Sequence, residues 1–261
     1  MIRRYLPVCI LLSARFLAAA PGLTLAPLDP GLSGLTVLLP NDPGFQGAVE
    51  SIAAASHRTI YAPALPYSFV LRNDSAKPII ELTIATSTDG HINGGFSEAT
   101  NSPKDTPLLA PGQQRVFLAM GGGGTLAGSS INSGVQRSVS LMAAATTVVV
   151  SVDAVLFADG VFAGPDVTAQ LPRAQARLTA NATVAGAILG YQSGYKTGDT
   201  APLEQYLSGL SHSTGLSSDY QRELRMVGTM YAGTLRRHGS DEMFQLASDI
   251  AQGTAGFVIH R

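Results

Sequence analysis

The chain has 261 residues, a formal net charge of −1, and 13% charged against 45% hydrophobic residues. This composition supports a hydrophobic core in one large or two modest domains and excludes an intrinsically disordered chain. It also excludes nucleic acid as a partner, because the sequence contains no basic region that would hold one.

The N-terminal residues have the order of a secretory signal peptide. Arg3 and Arg4 precede an apolar stretch at residues 5–14, and the small residues within 17–20 provide a cleavage point. The apolar stretch is shorter than the roughly 20 residues needed to span a bilayer. We therefore predict a signal peptide over residues 1–20, an exported (periplasmic or extracellular) product, and no transmembrane span in the mature chain.

Two residues count against the signal peptide, Arg15 and also Pro21, which would directly follow the best cleavage point. Arg15 interrupts the apolar run, which leaves a buried strand or a misplaced start codon as the alternative interpretations. Cys9, the one cysteine of the chain, lies within the predicted signal peptide. After cleavage near Pro21 the mature chain would have neither a disulfide nor thiol chemistry.

From residue 33 to residue 165, short β-type runs alternate with turn clusters. A run of 20 residues at 87–106, rich in Ser, Thr, Asn, Asp, Gly and Pro, is instead predicted to be a long loop. The strongest predicted strand is followed by the tight-turn dipeptide Asp159-Gly160 and a short return strand. The predicted strands comprise residues 35–39, 67–71, 79–86, 115–120, 135–141, 147–157 and 161–162.

The strands at 67–71 and 79–86 are predicted to pair as an antiparallel hairpin through the turn between them, with Phe69 and Leu82 in the core. Side chains alternate along a strand, so hydrophobic residues of the second strand should face inward and Glu81 should face solvent. The predicted inward residues are Ile80, Leu82 and Ile84, and Thr83 is placed outside with Glu81.

This strand pattern, with Pro111-Gly112 ahead of the fourth strand, resembles bacterial immunoglobulin-like or fibronectin-III-like domains. The stretch at 152–166 is similar to one found in uncharacterised exported proteins of soil bacteria. The resemblance extends over roughly half the chain and implies an immunoglobulin-like β-sandwich over residues 21–165. It implies an exported location as well, and it brings no catalytic residues with it.

After Pro165 the hydrophobic periodicity changes from two to about 3.6, which predicts a C-terminal α-helical segment over residues 166–261. The clearest helix, at 219–238, has Ser218 at N-cap spacing and Gly239 as its stop. Because the Gly-Pro-Asp at 164–166 is typical of a boundary, we predict a small bundle docked loosely on the sandwich. Further helices are predicted at 173–189, at 203–207 and after Ser240, and the apolar stripe of the clearest helix is Tyr220, Leu224, Val227, Tyr231 and Leu235.

Two short motifs are typical of catalytic or anion-binding loops. Ser193 and Lys196 match the S-x-x-K pair of penicillin-recognising enzymes, but glycines crowd the site and the companion motifs are missing. The glycine run at 121–124 has no following Lys-Ser/Thr, so we interpret it as a flexible connection rather than a phosphate loop.

Metal ligation has little support in the sequence. Asp153, Asp159 and Asp166 could gather and bind calcium, but Asp153 is expected to face water, Asp159 to form a turn and Asp166 to cap a helix. The histidines do not have metal-ligand spacing. No catalytic, cofactor-binding or metal-binding residue is therefore assigned, and the histidines are His57, His91, His212, His238 and His260.

The leading hypothesis is an exported, non-enzymatic interaction or structural module with a protein partner in the cell envelope. One alternative is an envelope hydrolase with loop-borne catalytic residues. The other is a weak carbohydrate-binding module that uses Tyr191 and Tyr195, although the absence of Trp weighs against it. The glycosylation-type sites at Asn73 and Asn181 are expected to remain unmodified.

Overall fold

The structure, a computed structural model, describes residues 22–52, 62–120, 133–194, 199–212 and 218–261. Among these residues the β-strands come first and most of the α-helices follow. The predicted signal peptide, the glycine run, His57, Tyr195 and Lys196 lie outside the described residues. The strands are β1 (Leu23–Leu25), β2 (Leu35–Leu38), β3 (Ser68–Asn73), β4 (Ile79–Thr88), β5 (His91–Ala99), β6 (Gln114–Leu118), β7 (Val148–Phe157) and β8 (Phe162–Ala163). The helices are α1 (Phe45–Ile52), α2 (Ser133–Ala144), α3 (Gln170–Gln192), α4 (Ala201–Ser211), α5 (Asp219–His238) and α6 (Ser240–Thr254).

The strands form two mostly antiparallel sheets. The first sheet has the order β1-β7-β4-β5, with β8 paired to β7, and β1 runs parallel to β7. The second has the order β2-β3-β6. Buried side chains from both sheets contribute to one large hydrophobic cluster. Within it, Phe117 of the second sheet stacks on Phe69 of the same sheet and on Phe96 of the first.

The predicted hairpin of β3 and β4 is wrong, because the two strands belong to different sheets. β3 pairs with β2 and β6, whereas β4 pairs with β5 and β7. The buried Asn73 side chain donates to the carbonyl oxygens of Lys77 and Leu109. It thereby holds the connection as an arch between sheets. Phe69 and Leu82 are nevertheless both buried, as predicted.

The predicted wet face of β4 is wrong as well, since Glu81 and Thr83 are buried. The helices that follow residue 165 cover this outer face of the first sheet. A register shift between Ile79 and Glu81 marks Ile80 as the extra residue of a β-bulge. Ile80 therefore joins Ala174 of α3 in a second hydrophobic cluster instead of facing the core between the sheets.

Two further segments differ from the expectation. The predicted loop at 87–106 contains β5, an edge strand whose polar and glycine residues are tolerated because much of it is exposed to solvent. The predicted strand at 135–141 is part of α2. Val135 and Met142, seven residues apart, are both buried there and lie on one helical face.

The helices after residue 165 agree closely with those predicted from hydrophobic periodicity and capping residues. α5 begins after Ser218, whose hydroxyl accepts from the Gln221 amide, and ends at Gly239, with φ of 88°. α3 and α4 are longer than predicted, extending over Gln170–Gln192 and Ala201–Ser211. Among the described residues, no helix has both the length and the hydropathy required to cross a bilayer.

The contacts between the first sheet and the segment after residue 165 include buried side chains. Asp153 of β7 is 0% exposed and accepts from the amides of Val167 and Thr168, so the expectation that it faces water is wrong. The C-terminus also returns to the first sheet, where the Phe162 amide donates to the His260 carbonyl oxygen. That residues 166–261 fold independently stays a prediction.

Candidate functional site

Three charged side chains meet where the helices cover the first sheet. Glu81 comes from β4, Arg177 from α3 and Glu223 from α5. A guanidinium nitrogen of Arg177 lies 2.9 Å from a Glu81 oxygen, and its Nε lies 3.6 Å from a Glu223 oxygen. The side chains of Glu81 and Glu223 are only 3% and 12% exposed. One cation therefore bridges two carboxylates that are largely removed from water.

Burial dominates the electrostatics of this triad. Desolvation raises the pKa of Glu81 above its ordinary value, and the Arg177 charge opposes that effect only in part. The pKa of Glu223 is raised for the same reason, and again Arg177 opposes it. Both carboxylates thus take up a proton more readily in the folded chain than in the unfolded chain.

A cleft of about 480 Å³ opens beside the triad, between the end of β5 and helices α3 and α5. Its volume lies in the range of small-molecule and peptide subsites. One wall is the segment at 97–101 together with Leu108. The opposite wall consists of Gln170, Arg173, Arg177, Glu223 and Met226.

The sheet side of the cleft is a free strand edge. Among the described residues no strand pairs with β5 on the side away from β4. The Thr100 amide donates to the Ile80 carbonyl oxygen at 2.9 Å, which fixes the direction of the alternating main-chain groups. The amides and carbonyls of Ser97 and Ala99 therefore point away from β4, at a strand edge whose residues line the cleft.

The three aspartates considered for calcium are each held by other groups. Asp153 accepts from main-chain amides, Asp159 pairs with Lys77 at 2.7 Å, and Asp166 pairs with Arg261 and caps α3. Within the described part of the chain, no group of three or more His, Cys, Asp or Glu side chains is placed to hold a metal ion. The turn and capping roles predicted for Asp159 and Asp166 are confirmed.

A serine and a histidine approach each other at the end of α4. The Ser208 hydroxyl lies 3.3 Å from His212 Nδ1, but the same nitrogen lies 2.9 Å from the Ser208 carbonyl oxygen. A proton on Nδ1 that donates to this carbonyl leaves that nitrogen no lone pair to accept the hydroxyl proton. The contact is explained by capping of the helix, and it gives the hydrolase alternative no support.

The remaining candidate residues are dispersed. The Ser193 hydroxyl donates to the Gly190 carbonyl oxygen at the end of α3. Tyr191 packs against Tyr206 at 44° between ring planes, so these rings do not form a coplanar platform for a sugar. Asn73 and Asn181 are buried, and an oligosaccharide transferase could not reach either side chain in the folded chain.

The triad was not predicted from the sequence, although one feature of the two helices is consistent with it. Arg173 and Arg177 are spaced i,i+4 on α3, and Asp219 and Glu223 have the same spacing on α5. Pairs of opposite charge with this spacing are compatible with two helices packed side by side, and the structure shows Arg173 lying 3.7 Å from Asp219. Glu81 had no comparable local signal, because alternation alone placed it in solvent.

Comparison of the chain with protein-family models, with curated proteins and with solved structures found no match.

The triad gives the protein an unusual dependence of stability on pH. Because the folded-state pKa values of Glu81 and Glu223 are raised, their contribution to stability is largest at low pH and is lost as the pH rises through those values. Asp74 and Asp159 have lowered pKa values and act in the opposite sense, but only at more acidic pH. The urea midpoint should therefore rise between pH 7 and about pH 5.

Glu81→Gln should flatten this rise, because a neutral amide of the same shape has no proton to gain. Glu204→Gln on the exposed surface of α4 is the matched control and should leave the rise intact. A midpoint that falls from pH 7 to pH 5 in the wild type, or a Glu81→Gln variant with the wild-type slope, would contradict the argument.

Proposed function

We propose that the protein is an exported, non-enzymatic interaction module of the cell envelope. In this proposal it binds an extended peptide segment of a partner protein along the free edge of β5. The observation that carries the proposal is the pair of unpaired main-chain positions, Ser97 and Ala99, beside a cleft of about 480 Å³. The chemistry is strand addition, in which main-chain hydrogen bonds supply affinity and flanking pockets supply specificity.

The walls of the cleft suit an extended peptide. A strand added to β5 lies about 4.8 Å from it, with side chains that alternate between the two faces. On the helix side these side chains meet the half-exposed Arg173 and the thioether of Met226, which is 64% exposed. Two carboxylates already neutralise Arg177. Its side chain therefore forms part of the cleft wall but offers a bound peptide no unpaired positive charge.

The exported location of the protein and the immunoglobulin-like character of its β-sandwich are part of the same proposal. Export rests on the order of charged, apolar and small residues within 1–20. The immunoglobulin-like assignment of residues 21–165 is supported by two mostly antiparallel sheets that bury one common core. Interaction modules of this class commonly present a sheet edge, and β5 supplies one.

The test is a proline at the edge position. Ser97→Pro removes an amide of the free strand edge, and no hydrogen bond to β4 is lost, because that amide points away from β4. The substitution also removes the hydroxyl that accepts from Thr83 at 3.0 Å, so Ser97→Ala is the matched control. Peptides selected from a random phage-display library on the wild type should bind Ser97→Ala nearly as well. Their affinity for Ser97→Pro should fall about tenfold or more, because a buried peptide acceptor is left unpaired.

Amide hydrogen exchange provides a measurement that does not depend on the proline variant. Adding a selected peptide to the wild type should protect the amides of Ser97 and Ala99. The Thr100 amide, already bonded to β4, should change little. Peptides that bind Ser97→Pro as tightly as the wild type, or that leave the Ser97 and Ala99 amides unprotected, would refute strand addition at β5.

A further inference from the structure

The exposed ridge of α5 lies between two shallow grooves. Arg225, Thr229 and Arg236 line both of them. The groove towards α4 has a volume of about 520 Å³, and the groove on the outer side has a volume of about 570 Å³. Both are open to solvent along the helix, so the ridge presents a broad surface rather than an enclosed pocket.

The charge on this ridge is of one sign. The outer groove is lined by Arg225, Met226, Thr229, Met230, Gly233, Arg236 and Arg237, a set with three arginines and no acidic side chain. No carboxylate of the described residues lies within salt-bridge distance of these three arginines. Glu204, at the far side of the α4 groove, accepts from the Thr200 hydroxyl.

The acidic residues of α5 are already used in ion pairs with other arginines. Asp219 pairs with Arg173 and Arg222, and Glu223 pairs with Arg177. α5 is thus divided along its length, with its carboxylates used inside the fold and the guanidinium groups of Arg225, Arg236 and Arg237 left outside. In a chain of net charge −1, this local concentration of positive charge stands apart from the average composition.

We propose that the face formed by Arg225, Met226, Arg236 and Arg237 docks the protein onto an anionic phospholipid bilayer. Guanidinium groups bind phosphate oxygens in bidentate geometry, and the three arginines extend over about 18 Å of helix, so they can contact several headgroups at once. Met226 stands 64% exposed on the same face and can enter the boundary between headgroups and acyl chains.

An acidic protein fits this face less well than an anionic bilayer does. A stable protein interface buries a central apolar patch within a total area of more than about 1,000 Å². Here Met226 is the one large side chain of the lining residues that is prominently exposed and apolar. A flat array of cations around a single apolar residue matches a headgroup surface better than it matches such a patch.

Co-sedimentation with vesicles tests the proposal. The full chain should bind vesicles of phosphatidylcholine mixed with phosphatidylglycerol, should not bind phosphatidylcholine alone, and should be released by salt. Each arginine near an anionic surface contributes about fivefold to the partition coefficient. Arg236→Gln should therefore weaken binding about fivefold, and the triple Arg225→Gln, Arg236→Gln, Arg237→Gln variant about a hundredfold. Arg137→Gln, at an exposed position on α2, is the matched control and should bind as the wild type does.

Two other probes separate the sources of negative charge. Glycerol phosphate measured by calorimetry should bind far more weakly than the mixed vesicles, and so should polyglutamate. Equal affinity for glycerol phosphate would show a free-anion site, and equal affinity for polyglutamate would show an acidic protein partner; either result overturns the proposal. Binding to neutral vesicles, or an unchanged triple variant, also overturns it. Arg236 and Arg237 do not line the β5 cleft, so these variants leave the peptide-binding proposal separately testable.

Discussion

Arg177→Ala should lower the free energy of unfolding by about 3–5 kcal/mol at pH 7, because it strips the counter-charge from two buried carboxylates. Glu81 and Glu223 would then have to ionise without a partner or take up protons on folding. Since Arg177 holds the pKa of both carboxyl groups down, its removal raises them further. The loss should therefore be largest at neutral pH and smaller at pH 5, as measured by urea unfolding at both values.

Arg173→Ala is the matched control. Arg173 lies one turn before Arg177 on α3, its side chain is 47% exposed, and its nearest carboxylate is that of Asp219 at 3.7 Å. Exposed ion pairs contribute about 0–1 kcal/mol, so this variant should remain close to the wild type. Neutralising the triad as Arg177→Met with Glu81→Gln and Glu223→Gln should recover most of the loss. Equal midpoint shifts for the two alanine variants would show that the triad is not a buried unit.

The features that the sequence predicted well are encoded locally. The bounds of α5 follow from the apolar stripe, the Ser218 hydroxyl and the conformational freedom of Gly239, all within some 20 residues. β7 was predicted because its long run of β-branched residues suits a strand at the centre of a sheet. In both cases the residues that determine the element are contiguous, so periodicity and capping are sufficient evidence.

The features that it predicted wrongly depend on distant neighbours. Whether β3 and β4 form a hairpin or an arch depends on long-range contacts, such as that of the Asn73 side chain with the carbonyl oxygen of Leu109, 36 residues further along the chain. Glu81 looked solvent-facing because the helix that covers it lies 96 residues away in sequence. β5 was predicted to be a loop because an edge strand needs few hydrophobic residues and is recognised mainly by the strand beside it.

The candidate site has the same dependence on long-range contacts. The i,i+4 pairs on α3 and α5 were visible, but periodicity does not say which helices are neighbours or which face meets a sheet. The free edge of β5 could not be predicted while β5 itself was assigned to a loop. Of the arginines on the outer face of α5, Arg236 and Arg237 lie in the last turn and suit the negative end of the helix dipole. Arg225, in the middle of the helix, is outside that explanation.

Phe69→Ala should also cost about 3–5 kcal/mol, because the ring is fully buried and the fold cannot collapse into the space it leaves. Phe69 stacks on Phe117 at 5.6 Å, and Phe117 stacks on Phe96 at 5.3 Å. The three rings connect β3 and β6 of the second sheet with β5 of the first, so truncating one ring loosens the contact between the sheets. Phe69→Leu keeps most of the volume and should cost far less.

Ile92→Ala on β5 is the control for the loss of a large apolar side chain, since Ile92 is 56% exposed and should shift stability by no more than about 0.5 kcal/mol. Chemical denaturation of the three variants measures the difference directly. Because Phe96 precedes the cleft residue Ser97, loss of the stack should also increase amide exchange along β5. The Phe69→Ala variant should then bind selected peptides less tightly, because its β5 edge is less well ordered before binding. Similar midpoints for Phe69→Ala and Ile92→Ala would place Phe69 outside the shared core and would remove the link between that core and the β5 edge.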